Sequence, residues 1–229
     1  MAELATTALF SDANLQGYWK LGDVNDSSPN AYHLTNNGVA TFEAGKYDNA
    51  VKLVAASSQY LSRAQASIAN LRIAGSQSWV CWVNQTTISS YQKAMSMSNG
   101  DGSISTGILT SADSGNVVYF DMPGLTTNTQ VNSGAIGLTT GAWYHLAGVY
   151  NSETTTLKIY VNAVEGGSVT ASGSKTDITS GGFAIGARGD AGAFLNGLVD
   201  DAAIFNRALT VAEIESLYAS PRGFIFIQS

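Results

Sequence analysis

The sequence predicts an all-β protein: an antiparallel two-sheet sandwich with one short C-terminal helix. Three observations carry this. Short segments with apolar, β-branched and aromatic residues in strand-like runs recur from Gln16 to Phe205. The stretches between them are rich in Gly, Ser, Asn and Asp, which suit turns and positive φ. One segment stands out with the period and caps of a helix, just beyond Leu209.

Taken in order, 16–21 is the first clear strand, followed by 50–53 and 60–62. Residues 78–83 are apolar on both faces, as expected of a central strand under a second layer. Residues 117–120 come next, then 143–150, again two-sided. Residues 156–161 place Leu157, Ile159 and Val161 on one face, with Lys158 and Tyr160 on the other. Strands at 182–186 and 198–205 close the set. Residues 99–102 and 165–167 read as turns, and 151–154 as a hairpin loop.

The helix begins with a capping box. Thr210 and Glu213 are three apart, so each side chain can reach the other's backbone N–H. Leu209 and Ile214 occupy the staple positions, and Ile214, Leu217 and Tyr218 form a stripe at i, i+3, i+4. Pro221 stops the helix, which is expected to plug one end of the sandwich. The simplest division is an N-terminal arm at 1–14, one domain at 15–220 and an apolar tail at 221–229.

A chain of 229 residues with 45% apolar content is enough for one sizeable core. Only 12% of residues are charged and the net charge is −6. That balance argues against nucleic acid, which needs a basic footprint, and against anionic membrane surfaces. No window approaches 18 apolar residues, and residues 1–14 lack the basic start of a signal peptide. The neutral, polar surface suits exposure outside a cell or on a virion. Cys81, the single cysteine, lies in an apolar run and reads as a buried hydrophobe.

Several motifs in sequence order resemble the laminin-G-like, concanavalin A-like lectin/glucanase jelly-roll family. They are Gly17-Tyr18-Trp19-Lys20-Leu21, Asp26-Ser27-Ser28-Pro29-Asn30, and Gly45-Lys46-Tyr47-Asp48-Asn49-Ala50. With them go Gln59-Tyr60-Leu61, Ser78-Trp79-Val80-Cys81-Trp82-Val83, Trp143-Tyr144-His145-Leu146-Ala147 and Leu157-Lys158-Ile159-Tyr160-Val161-Asn162. The closing strand and helix at 194–218 complete the set. The resemblance implies a jelly-roll sandwich that binds or assembles. The family's usual Asp-Gly turn is replaced here by Asn162-Ala163-Val164, and a usual Gly by Asn49.

The resemblance also implies one Ca²⁺ at the sandwich edge, held by Asp26 and Asp200. The turn at 23–28 is oxygen-rich, as calcium requires. Asp200 and Asp201 should point to opposite faces of their strand, so that only one turns inward. The alternative is an inward carboxylate held by hydrogen bonds alone.

Catalysis has little support. His145 lies within a strand and His33 in a loop without an obvious acid beside it. There is no Gly-x-Ser-x-Gly elbow, no phosphate-binding loop, and no strand carrying alternating carboxylates for glycoside chemistry. Two non-catalytic readings stand. The first is glycan recognition by long polar loops at 91–106 and 186–196, with Tyr91, Arg188, Asp190 and Asn196 as ligand-binding residues. The second is structural decoration or assembly of a phage or virus particle. There the β-prone tail Phe224, Ile225, Phe226 and Ile227 would add a strand to a neighbouring subunit; the alternative is that it folds back on its own domain.

Overall fold

The computed structural model describes residues 5–189, 191–219 and 224–227. Among them, seventeen strands run in chain order as β1 (Ala5–Ala8), β2 (Leu15–Trp19), β3 (Thr35–Asn37), β4 (Thr41–Ala44), β5 (Asn49–Leu53), β6 (Tyr60–Ala64), β7 (Gln77–Gln85), β8 (Gln92–Ser98), β9 (Ser105–Ser111), β10 (Val117–Asp121), β11 (Gln130–Asn132), β12 (Trp143–Asn151), β13 (Thr156–Val161), β14 (Val164–Thr170), β15 (Gly182–Ile185), β16 (Gly197–Phe205) and β17 (Phe224–Ile227). The C-terminal helix spans Val211–Ala219.

One sheet has seven strands in the order β11-β10-β9-β8-β15-β6-β3. The other has eight, in the order β14-β13-β12-β7-β16-β5-β4, with β2 added on β16. All pairings in both sheets are antiparallel. The sandwich expected from the sequence is the one observed.

The two inner faces meet through large rings. Trp19 from the eight-stranded sheet stacks on Phe183 from the seven-stranded sheet, with centroids 4.6 Å apart, and Trp79 lies 6.1 Å from the same ring. All three are fully buried. Truncating a ring such as Phe183 to alanine in a core this dense costs about 3–5 kcal/mol. Gly148 on β12 gives Phe120 its place, because a Cβ there would sit 2.3 Å from that ring.

β7 shows why its strand is apolar on both faces. Trp79, Cys81 and Val83 join the inter-sheet core, whereas Val80 belongs to a second cluster on the outer face. That second cluster unites Val80, Ala147, Tyr160 and Phe205 with Leu209, Ile214 and Leu217 of the helix region. The helix therefore covers the outer face of the eight-stranded sheet and does not plug one end. Two-sided burial of β7, β12 and β16 requires that cover.

The capping box forms as expected. Glu213 accepts the Thr210 N–H at 2.7 Å, and the Glu213 N–H reaches Thr210 Oγ1 at 3.3 Å. Ile214 and Leu217 are buried, while Tyr218 is 39% exposed and stacks on Trp82.

Three local readings are corrected. The segment at 91–106 is largely a hairpin of β8 and β9, not a long loop, because Met95 and Met97 alternate with small serines. Gly166 and Gly167 lie within β14. A Cβ there would collide with Ser133 and the Asn132 carbonyl, so these glycines serve close approach. The turn is made by Asn162 and Ala163, with φ of 51° and 65°. The tail strand β17 pairs with β1 of the same chain, Ala5 opposite Ile227 and Ala8 opposite Phe224.

Candidate functional site

The segment after β15 folds back over the outer face of the seven-stranded sheet. It closes on itself, with the Leu195 N–H donating to the Gly186 carbonyl at 2.8 Å and the Arg188 N–H to that of Gly192 at 2.8 Å. It is then fixed to β8. The Gly186 N–H donates to the Ala94 carbonyl and the Lys93 N–H to that of Ala193, both at 2.9 Å. Ser96 Oγ donates to the Ala187 carbonyl at 2.8 Å, and the Gly189 N–H donates to Ser98 Oγ at 2.6 Å. Serines at alternate positions on β8 point outward and hold the loop.

Beside this loop is a cleft of about 200 Å³ lined by Tyr60, Ser62, Arg63, Gly182, Phe183 and Gly189, among others. Gly182 admits no side chain, since a Cβ would lie 2.0 Å from the Arg63 carbonyl oxygen. The cleft floor is thus bare backbone. Tyr60 and Phe194 meet at its side, half-buried, with ring centroids 5.9 Å apart. Arg63 is held by the Ser67 and His33 carbonyls and lies 5.5 Å from the Tyr32 ring. Further along the same face, Lys93 and Asp121 form an ion pair of 2.7 Å, and Gln130 donates to Asp121 at 2.6 Å.

The expected ligand-binding residues divide. Tyr91 is 55% exposed, with φ of 55°, two residues from Lys93, where the 186–196 segment is anchored. Arg188 sits in that segment's own turn. Asp190 lies outside the described residues. Asn196 is a staple. Its Oδ1 accepts the Ala55 N–H at 3.2 Å, and its Nδ2 donates to Thr86 and Thr87 at 2.7 and 3.2 Å. Tyr60, Ser62 and Phe194 were not singled out from the sequence. The alternation in Tyr60-Leu61-Ser62 puts Tyr60 and Ser62 on one face, and Phe194 is the one aromatic residue in 186–196. Those were the available signals.

A larger hollow of about 360 Å³ lies at the first loop, lined by Lys20, Asp23, Asn25, Ser27, Asp48 and Asn49. Among the described residues no aromatic ring lines it, and both Asp23 oxygens are engaged by Asn25.

The two carboxylates proposed for calcium are both buried. Asp26 Oδ1 accepts the Tyr18 and Ser28 N–H groups, each at 2.8 Å. Its Oδ2 accepts the Ser28 hydroxyl and the Tyr32 N–H, each at 2.7 Å. Four donors fill a carboxylate's acceptor positions. Asp200 accepts the N–H of Tyr47 and of Asp201, both at 2.9 Å. Burial, with the neighbouring Asp201 charge, pushes its pKa up to about 7. Among the described residues no group of three His, Cys, Asp or Glu side chains is arranged to hold a metal. The donor set at Asp26 does not fit a cation.

Asp200 and Asp201 are not on opposite faces in the simple sense expected. β16 has an irregularity between Asp200 and Ala203, and Asp201 has φ of 41°, so both carboxylates are buried. Asp201 accepts the Tyr18 hydroxyl at 2.8 Å. Of the histidines, His33 Nδ1 accepts the Asp26 N–H at 3.1 Å. His145 is buried, and desolvation pushes its pKa down to about 3. A neutral, enclosed imidazole is a structural one. Burial also raises the Cys81 thiol pKa, which keeps it inert.

The family model for the concanavalin A-like lectin/glucanases superfamily matches residues 55–215. Among solved structures, the chain is similar to domain 4 of AbnA, a GH43 extracellular arabinanase from Geobacillus stearothermophilus, in complex with arabinotriose. The TM-score is 0.66 at 19% identity, covering 91% of this chain and 100% of that one. It is also similar to the CBM40 of the Ruminococcus gnavus IT-sialidase bound to α2,3-sialyllactose. There the TM-score is 0.57 at 13% identity, over 70% and 93% of the two chains. A third likeness is to the binding domain of botulinum neurotoxin DC in complex with SialylT. Its TM-score is 0.58 at 13% identity, over 90% of this chain and 51% of that one. At these identities the likeness is one of fold. No curated protein sequence matches the chain.

Proposed function

The chain belongs to the concanavalin A-like lectin/glucanase superfamily, and from that premise we propose that it is a non-catalytic, surface-displayed module that recognises glycans. The observation that carries this reading is the cleft beside the 186–196 segment. It offers a bare backbone floor at Gly182 and Gly189, the Ser62 hydroxyl, the Arg63 side chain and the Tyr60 ring, against which Phe194 packs. Rings supply apolar faces for sugar C–H groups, and fixed hydroxyl and backbone groups supply directional hydrogen bonds. The serine anchors on β8 hold the wall in place before any ligand arrives, which lowers the ordering cost of binding. The sugar-complexed domains of the same fold support the reading.

Extracellular display, on a cell-attached or secreted protein, accords with the sparse surface charge. Calcium at Asp26 and Asp200 is no part of the proposal, since Asp26 spends both oxygens on four donors. The assembly reading gains nothing from the tail, whose strand finds its partner inside the chain.

A glycan array probed with the intact chain, with and without chelator, tests the proposal. The expected result is selective binding to a defined set of glycans that Tyr60→Ala weakens. An array with no signal above background overturns it.

A further inference from the structure

On the outer face of the eight-stranded sheet, three aromatic side chains cluster, and the ammonium of Lys46 lies over two of them. Trp82 on β7 stacks with Tyr218 of the helix (5.6 Å, 20°) and meets Tyr47 edge-on (5.9 Å, 89°). The Nζ of Lys46 stands 4.4 Å from the centroid of the Trp82 ring and 5.9 Å from that of Tyr47. Asp200 and Asp201 lie behind these rings. Asp200 takes the Tyr47 N–H, and both carboxylates push the Tyr47 phenol pKa up, after burial, by their negative charge.

We propose that Trp82 and Tyr47, with Tyr218 stacked on Trp82 and Asp200 and Asp201 behind, form an aromatic recognition site for an alkylammonium group, which Lys46 of the chain itself fills in this structure.

Aromatic faces with negative charge behind them attract a cation that has shed part of its water. The occupant is weakly held. Lys46 is an exposed residue on a long flexible stem, and fixing such a stem costs side-chain entropy. An external ammonium carried on a rigid ligand does not bear that cost. Tyr218 is 39% exposed, whereas Trp82, over which Lys46 lies, is 3% exposed, so access to its face depends on Lys46 moving away. This site is on the other sheet from the glycan cleft and does not rest on the glycan reading.

The test is a titration of Lys46→Ala followed by tryptophan fluorescence, using choline, glucosamine and 3,3-dimethylbutan-1-ol, the neutral isostere of choline. Choline and glucosamine report methylated and sugar-borne ammonium respectively. The expected result is saturable binding of at least one ammonium probe, at least tenfold tighter than to the wild-type chain and at least tenfold tighter than the neutral isostere. Adding Tyr218→Ala should weaken it fivefold or more. Lys46→Gln, which keeps the stem, serves if the alanine variant is misfolded by circular dichroism. Equal binding of charged and neutral probes, or no saturable signal in either variant, overturns the proposal.

Discussion

Asp26 accepts the backbone N–H of Tyr18 at 2.8 Å, and with the Ser27 N–H bonded to the Tyr18 carbonyl at 2.7 Å this fixes the first loop to strand β2. The remaining acceptor positions go to Ser28 and Tyr32, so a single buried carboxylate organises the whole turn. Asp26→Ala would leave three backbone N–H groups unpaired. We expect a loss of about 3 kcal/mol or more, from about 1–3 kcal/mol per buried unsatisfied group with incomplete additivity. Urea unfolding measures it. The same saturation predicts that EDTA leaves the melting temperature unchanged. A fall of several degrees, restored by Ca²⁺, would show that a cation belongs at this edge.

The imidazole of His145 supplies a pH dependence. Its folded pKa, near 3, lies below the ordinary value of 6.5. Between these values the unfolded chain binds a proton that the folded chain refuses. Its contribution is therefore fully present above pH 6.5 and is lost as pH falls toward 3. The span corresponds to about 5 kcal/mol as an upper bound. In His145→Phe, the fall in stability between pH 6.5 and 4 should be shallower than in the wild-type chain. Parallel curves for the two proteins would show that His145 does not carry it.

In the cleft, binding and stability should separate. Tyr60→Ala and Phe194→Ala are expected to weaken glycan binding fivefold or more and leave the unfolding midpoint nearly in place. Asn196→Ala should do the reverse, since Asn196 joins three chain segments. Its loss should cost about 1–2 kcal/mol. Calorimetric titration beside thermal melts distinguishes the two patterns, and a binding defect confined to Asn196→Ala would reverse the assignment.

Arg207 links the helix to the segment before β2. Its guanidinium donates to Asp12 at 2.8 Å and to both Glu213 oxygens, at 2.8 and 2.6 Å. These partners raise its pKa, and it helps hold the Asp12 and Glu213 carboxyls below their usual values. Arg207→Ala should destabilise by about 1–2 kcal/mol, a modest figure because the network is partly exposed. It should also raise hydrogen exchange in Val211–Ala219 before the strands. Uniform exchange across helix and sheets would argue against a local role.

The sandwich was legible because its signals are local. Alternation in 156–161 and two-sided burial in 78–83 follow from strand geometry alone. The capping box was legible because both partners lie within four residues. What sequence could not show is contact between distant segments. The helix position depends on the outer face of β7 and β12, and the Tyr60–Phe194 pair depends on a loop returning over β15. The burial of both Asp200 and Asp201 depends on an irregularity in β16, for which the period of two carries no sign. Asn196 looked like a ligand group because an amide in a polar loop has the same appearance whether it faces a sugar or its own backbone.

The antiparallel register of β1 with β17 has a practical consequence. Residues 5 and 227 face each other across one strand spacing, roughly 5 Å. A short glycine bridge could therefore join them into a closed ring, and the polypeptide could be reopened at the exposed turn around Val39. Such a rearranged chain would carry both of its new ends on a different part of the surface while keeping every sheet pairing intact.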